Sequence, residues 1–158
     1  MNFIKNGSFE SGQLAPWVVD FGDADKVVIA DNHAVLLPVG TQIRQAIDPA
    51  EIGDLETLVF RVRARAAMVE SAEVLKVRSR FRFGIRCFYS TQPGGTVLDF
   101  DASGGLQSFQ AHDQLITSVP LVAMEVICWV LPNPASPEHD LRDIWFTGFE
   151  LMSGAHIP

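Results

Sequence analysis

Leu75–Tyr89 reads LKVRSRFRFGIRCFY. Leu75, Val77, Ser79, Phe81, Phe83, Ile85 and Cys87 share one parity, and Lys76, Arg78, Arg80, Arg82 and Arg86 share the other. Successive side chains of a strand point to opposite faces, so this alternation predicts a strand with one apolar face and one cationic face.

The same period of two recurs along the chain. It predicts strands at WVVDF (17–21), KVVIAD (26–31), HAVLLPV (33–39), TQIRQAI (41–47), LVFRVRARA (58–66), TVLDFDA (96–102), QLITSV (114–119), VAMEVICWVL (122–131) and IWFTGFEL (144–151). GDAD, DNH, PGG (93–95) and SGG (103–105) read as turns, PNPASPEHD (132–140) as a proline-rich loop, and DPAEIGDLE (48–56) has room for one helical turn. Many short strands without a long helix, in a chain of 158 residues, predict one all-β domain spanning 1–158, built as an antiparallel two-sheet sandwich.

Charge is unevenly placed. The net charge is −7, yet residues 58–90 carry eight Lys/Arg against two Glu, leaving four Lys/Arg and seventeen Asp/Glu elsewhere. The acidic remainder, and a basic face without interleaved aromatics, argue against nucleic acid as a partner. No apolar run reaches the length of a membrane span. The opening MNFIKNGSFE lacks the apolar stretch of a secretion signal, so the expected location is the cytoplasm, or a surface, spore or particle layer reached by another route.

NFIKNGSFESGQLAPWVV, then VLLPVGTQIRQAI, then DIWFTGFEL at the end resemble the bacterial galactose-binding-like jelly-roll domains. These include carbohydrate-binding modules of families four, nine and twenty-two. They also include the NGSFE-type surface domains of spore-forming bacteria, some of which sit beside collagen-like repeats. The resemblance implies a jelly roll in which the NGSFE opening is the first strand and turn. Trp17 would pack in the core, Ile43, Gln45 and Ile47 would continue the motif, and the last strand would return beside the first. It also implies glycan binding. In the family the last strand often carries paired aspartates, one of which helps hold a structural calcium with the glutamate of the opening motif. Here Thr147 and Gly148 stand at the aspartate positions while Glu10 remains, so no metal and no other cofactor is expected.

Signs of catalysis are sparse. His33, His112, His139 and His156 are scattered without metal-ligand spacing, and no G-x-S-x-G elbow, P-loop or dinucleotide fingerprint occurs. His112–Asp113 reads as loop chemistry before a strand. A pair of carboxylates of the glycosidase type leaves an enzyme as the third reading. Cys87 and Cys128 each fall on an apolar strand face, as buried thiols or as a disulfide.

The candidate binding residues are Trp129 and the arginines Arg61, Arg63, Arg78, Arg80 and Arg82. Trp129 shares a face with Glu125, so it points outward to a ligand or another subunit, or lies under the 132–140 loop. Trp145 alternates with Thr147, Phe149 and Leu151, which places it on a core face. Gln45 points inward, either to satisfy buried backbone groups or to contact a sugar hydroxyl. A short 68–74 loop would pair 58–66 with 75–89 as a hairpin and set one arginine row beside the other. Such a patch is either neutralised from within by Asp99, Asp101 and Glu125 or met by an acidic partner, a glycan or another copy of the chain. Nine arginines against three lysines favour contact, because guanidinium binds carboxylates bidentately.

Two roles compete: a non-catalytic glycan-binding module, and a self-assembling structural protein whose copies form a homo-oligomer. The short ends MNFIK and SGAHIP, with no room for an attached catalytic domain, tilt the expectation towards assembly.

Overall fold

A computed structural model describes residues 1–31, 33–67, 77–133 and 141–154. Among the described residues ten strands form: β1 Val18–Phe21, β2 Val28–Ala30, β3 Ala34–Leu37, β4 Gln42–Ile47, β5 Thr57–Ala66, β6 Ser79–Tyr89, β7 Pro93–Ala102, β8 Gln107–Gln114, β9 Leu121–Val130 and β10 Ile144–Ser153. They make two antiparallel five-stranded sheets, ordered β1-β4-β9-β6-β7 and β2-β3-β10-β5-β8. The predicted all-β sandwich is what the chain adopts. A single helical turn, α1 (Pro49–Ile52), lies between β4 and β5, and its N-cap Asp48 accepts a hydrogen bond from Ala50 N at 3.0 Å.

The inward parities of the two sheets meet in a continuous core. Phe60 and Phe83 from opposite sheets pack edge to face at 5.1 Å, and Phe81 meets Phe146 at 5.0 Å in the same way. Trp17 is buried against Phe149 at 4.7 Å, as expected. Cys87 and Cys128 are buried free thiols. Burial pushes Cys87 up to about 11, and Cys128 is also raised by burial.

Five expectations are corrected. β5 and β6 are not a hairpin: β5 pairs β10 and β8 in one sheet, while β6 pairs β7 and β9 in the other. β5 and β6 thus belong to different sheets; residues 68–76, Leu75 and Lys76 among them, lie outside the described part.

The strand read at 114–119 is also displaced. β8 runs over Gln107–Gln114, an edge strand whose inward positions Phe109, Ala111 and Asp113 are too poorly apolar to announce it. Leu115 and Ile116 instead cap the core end, donating from their backbone N–H groups to the Glu56 carbonyl and the Tyr89 hydroxyl at 2.7 and 2.9 Å. His112–Asp113 is thus on a strand, not in a loop, with Asp113 turned inward.

The NGSFE opening is not a strand. It is an irregular segment with positive φ at Asn6 and Phe9, laid along β10. Phe3 N donates to Leu151 O at 2.8 Å and Phe149 N to Gly7 O at 3.0 Å, so the chain's start does lie beside its last strand. A Cβ on Gly7 would run into the Phe149 carbonyl oxygen, which explains the glycine of the motif.

Trp145 is not in the core. Ile144 and Phe146 point inward, then a bulge at Gly148 (φ 65°) shifts the parity so that Phe149 and Leu151 point inward as well. Trp145 is left on the outer face.

Candidate functional site

The split of β5 from β6 divides the five candidate arginines. Arg80 and Arg82 lie on the outer face of the β1-β4-β9-β6-β7 sheet, with Arg78 exposed just before β6. Arg61 and Arg63 lie on the outer face of the opposite sheet. No single basic patch joins them.

On the first face each arginine of the strands meets a carboxylate. Arg82 donates to both Asp99 oxygens at 2.7 and 3.3 Å, and Arg80 approaches the same carboxylate at 3.6 Å. Arg86 and Arg44 flank Glu125 at 3.5 and 3.9 Å, and Arg44 also reaches Asp20 at 3.2 Å. The Arg82 bonds hold the Asp99 carboxyl below its ordinary range, and Asp99 in turn raises Arg82. Cross-strand registry imposes this, since Arg82 stands directly opposite Asp99, and Arg86 opposite Glu125. The arginines of this row are thus paired within the sheet.

Trp129 sits on the same face, half-buried and turned outward. Phe21 packs against it edge to face at 5.3 Å, and the Arg82 guanidinium stands 5.4 Å from its ring centroid. The indole N–H donates to Gly40 O at 3.2 Å, which fixes the ring plane. Beside it in register, Gln42 is fully buried and donates from its amide to Asp20 at 2.8 Å. The Gln42 Oε1 has no hydrogen-bond partner among the described residues. Towards β7, a depression of about 400 Å³ is lined by Arg82, Arg86, Val97 and Asp99. Gly84 lies between the two arginines, where a Cβ would strike the Thr96 carbonyl. The face therefore offers a fixed aromatic platform among oriented charged groups.

Gln45 does not contribute to this face. It is buried, its Oε1 accepting from Lys5 N at 2.7 Å and its Nε2 donating to Lys5 O at 2.8 Å. The structural reading of Gln45 is the correct one.

On the opposite face Arg61 pairs with Glu150 at 3.0 Å, and Arg65 lies over Trp145 at 5.6 Å from the ring centroid. Sequence reasoning missed Trp145 here because alternation was carried unbroken through the bulge; the glycine at 148 inside a strand was the available signal. Among the described residues no group of three or more His, Cys, Asp or Glu is placed to hold a metal, and no helix is long and apolar enough to cross a membrane.

No protein-family model matches the chain, and no curated protein matches it in sequence. Its fold is nevertheless shared with solved structures. A family 4 carbohydrate-binding module superposes with a TM-score of 0.64 at 13% identity, over 95% of this chain and 99% of that one. A family 61 module, solved with β-1,4-galactotriose, gives 0.62 at 16% identity over 97% and 99%. A xylan-binding domain of family 22 gives 0.61 at 10% identity over 99% and 98%. The chain has the two-sheet jelly-roll fold that these modules share.

Proposed function

We propose that the chain is a non-catalytic glycan-binding module whose site is the outer face of the β1-β4-β9-β6-β7 sheet, centred on Trp129. The observation that carries this reading is the outward Trp129 indole, held by Phe21, Arg82 and the Gly40 carbonyl. A pyranose ring presents a face of C–H groups that packs on an indole, while its hydroxyls take up hydrogen bonds from nearby charged and amide groups. Neighbouring modules solved with galactotriose or described as xylan-binding support a glycan as the ligand.

Titration calorimetry against β-1,4-galactan and xylan oligosaccharides tests the reading. Binding to one of them, weakened by about 30-fold in Trp129→Ala, is expected for loss of a central aromatic anchor worth about 2 kcal/mol. No binding to either, or full binding by Trp129→Ala, would refute it.

Self-assembly is a second reading. Phe88 and Val122, 44% and 63% exposed near the adjoining ends of β6 and β9, favour it. The arginines of this face already have carboxylate partners, so apolar residues, not charge, would make the contact. A solution mass that stays monomeric across a salt and concentration series would dismiss assembly.

A further inference from the structure

The β2-β3-β10-β5-β8 sheet differs from its partner in one electrostatic respect. Arg63 and Arg65, two residues apart on β5 and therefore on one face, have no carboxylate partner among the described residues. By contrast Arg44, Arg61, Arg80, Arg82 and Arg86 all have one. Unpaired neighbouring guanidiniums repel each other, so a bound anion is favoured there over solvent alone.

The two arginines also line a cavity. It measures about 370 Å³, at the lower end of the roughly 300–1,000 Å³ typical of ligand sites. Glu10, His33, Trp145 and Thr147 share its wall. Both guanidiniums are positioned by the fold. Arg65 lies over the Trp145 indole, opposite it in register. Arg63 stands opposite Thr147 and lies along the bulge at Gly148, where a Cβ would come within 3.2 Å of its Nε. The Thr147 hydroxyl donates to His33 O at 2.7 Å, tying the β2–β3 turn to the wall. Thus the bulge that expels Trp145 from the core also makes the bed in which Arg63 lies.

We infer that this cavity is a second binding site, separate from the Trp129 face, which takes the carboxylate of an acidic sugar such as a uronic-acid unit. The carboxylate is held by the Arg63 and Arg65 guanidiniums, bidentate geometry being available to each. The ring lies towards Trp145, and Glu10 on the rim accepts from sugar hydroxyls. That the carboxylate is carried by a sugar rests on the glycan-binding reading; the anion site itself does not.

The test is calorimetric titration with oligogalacturonate, beside neutral galactan oligosaccharide, for the wild type, Arg63→Gln, Arg63→Gln/Arg65→Gln and Trp129→Ala. Arg63 is exposed, so Arg63→Gln leaves the core intact, and an unchanged melting temperature verifies it. Oligogalacturonate binding is expected in the wild type, falling at least about tenfold in Arg63→Gln and further in the double variant, as for loss of a charge-assisted contact. It should persist in Trp129→Ala and weaken with added salt. Equal binding by the wild type and the double variant, or none by the wild type, would overturn the second site. Loss in Trp129→Ala alone would move acidic binding to the first face. Binding of neutral glycan without oligogalacturonate would leave the first site standing and remove this one. Inorganic sulfate competing as well as oligogalacturonate would reduce the site to an anion site without sugar recognition and overturn the inference as stated.

Discussion

The side-chain amide of Gln45 grips Lys5 by both backbone groups, accepting from its N–H at 2.7 Å and donating to its carbonyl at 2.8 Å. One buried side chain on β4 thereby fastens the irregular N-terminal segment to the sandwich. Gln45→Leu leaves both Lys5 groups unmet at a partly buried position. It should cost about 2–6 kcal/mol, since each of the two unsatisfied groups costs about 1–3 kcal/mol. Denaturant unfolding would measure the loss.

Gly7→Ala should destabilise the fold by about 1–3 kcal/mol, the usual range for overpacking, because the new methyl collides with the Phe149 carbonyl. Gly12→Ala is the comparison. Its φ of 73° imposes strain, but nothing stands within 4 Å of the added carbon. Thermal melts of the two variants should separate, Gly7→Ala melting lower.

Asp113 gives stability an unusual pH dependence. Burial raises its carboxyl, opposed by the Thr96 hydroxyl that donates to it at 2.7 Å, and its second oxygen has no partner among the described residues. The folded state therefore holds this proton more tightly than the unfolded chain does. Its contribution is largest below the unfolded carboxyl range, near pH 4, and is lost as pH rises through the raised folded value. Asp99 acts in the opposite sense. Its lowered carboxyl contributes above pH 4, and that contribution is lost as pH falls through the depressed folded value. Asp113→Asn should remove the decline of melting temperature above pH 4, and Asp99→Asn should flatten the acid limb.

Neither cysteine should react quickly. Cys128 stands opposite Phe83 on the neighbouring strand, four residues from Cys87, a separation of about 13 Å at about 3.3 Å per residue. That exceeds the Cα reach of a disulfide, about 7 Å. Thiol labelling of the native protein should be slow, with both thiols reacting after unfolding. A rapid burst from either would contradict their burial.

Alternation alone was enough to place most side chains on the correct face, because a strand's period of two needs no knowledge of its neighbours. Phe81, Phe83, Ile85 and Cys87 turn inward, and Trp129 turns outward with Arg80, Arg82 and Glu125. The period does not say which strand lies alongside. Two arginine rows adjacent in sequence fell on opposite sheets, because β5 found its partners in β8 and β10, and β6 in β7 and β9. Pairing is decided by where each apolar face can be buried, which is a property of the assembled core. Tertiary structure also decided Trp145, since one extra residue at Gly148 reverses parity without altering the alternation before it. The carboxylates that neutralise one arginine row were visible in the chain. That Arg63 and Arg65 are left without them emerges only when the sheets are built, because cross-strand register determines which charges meet.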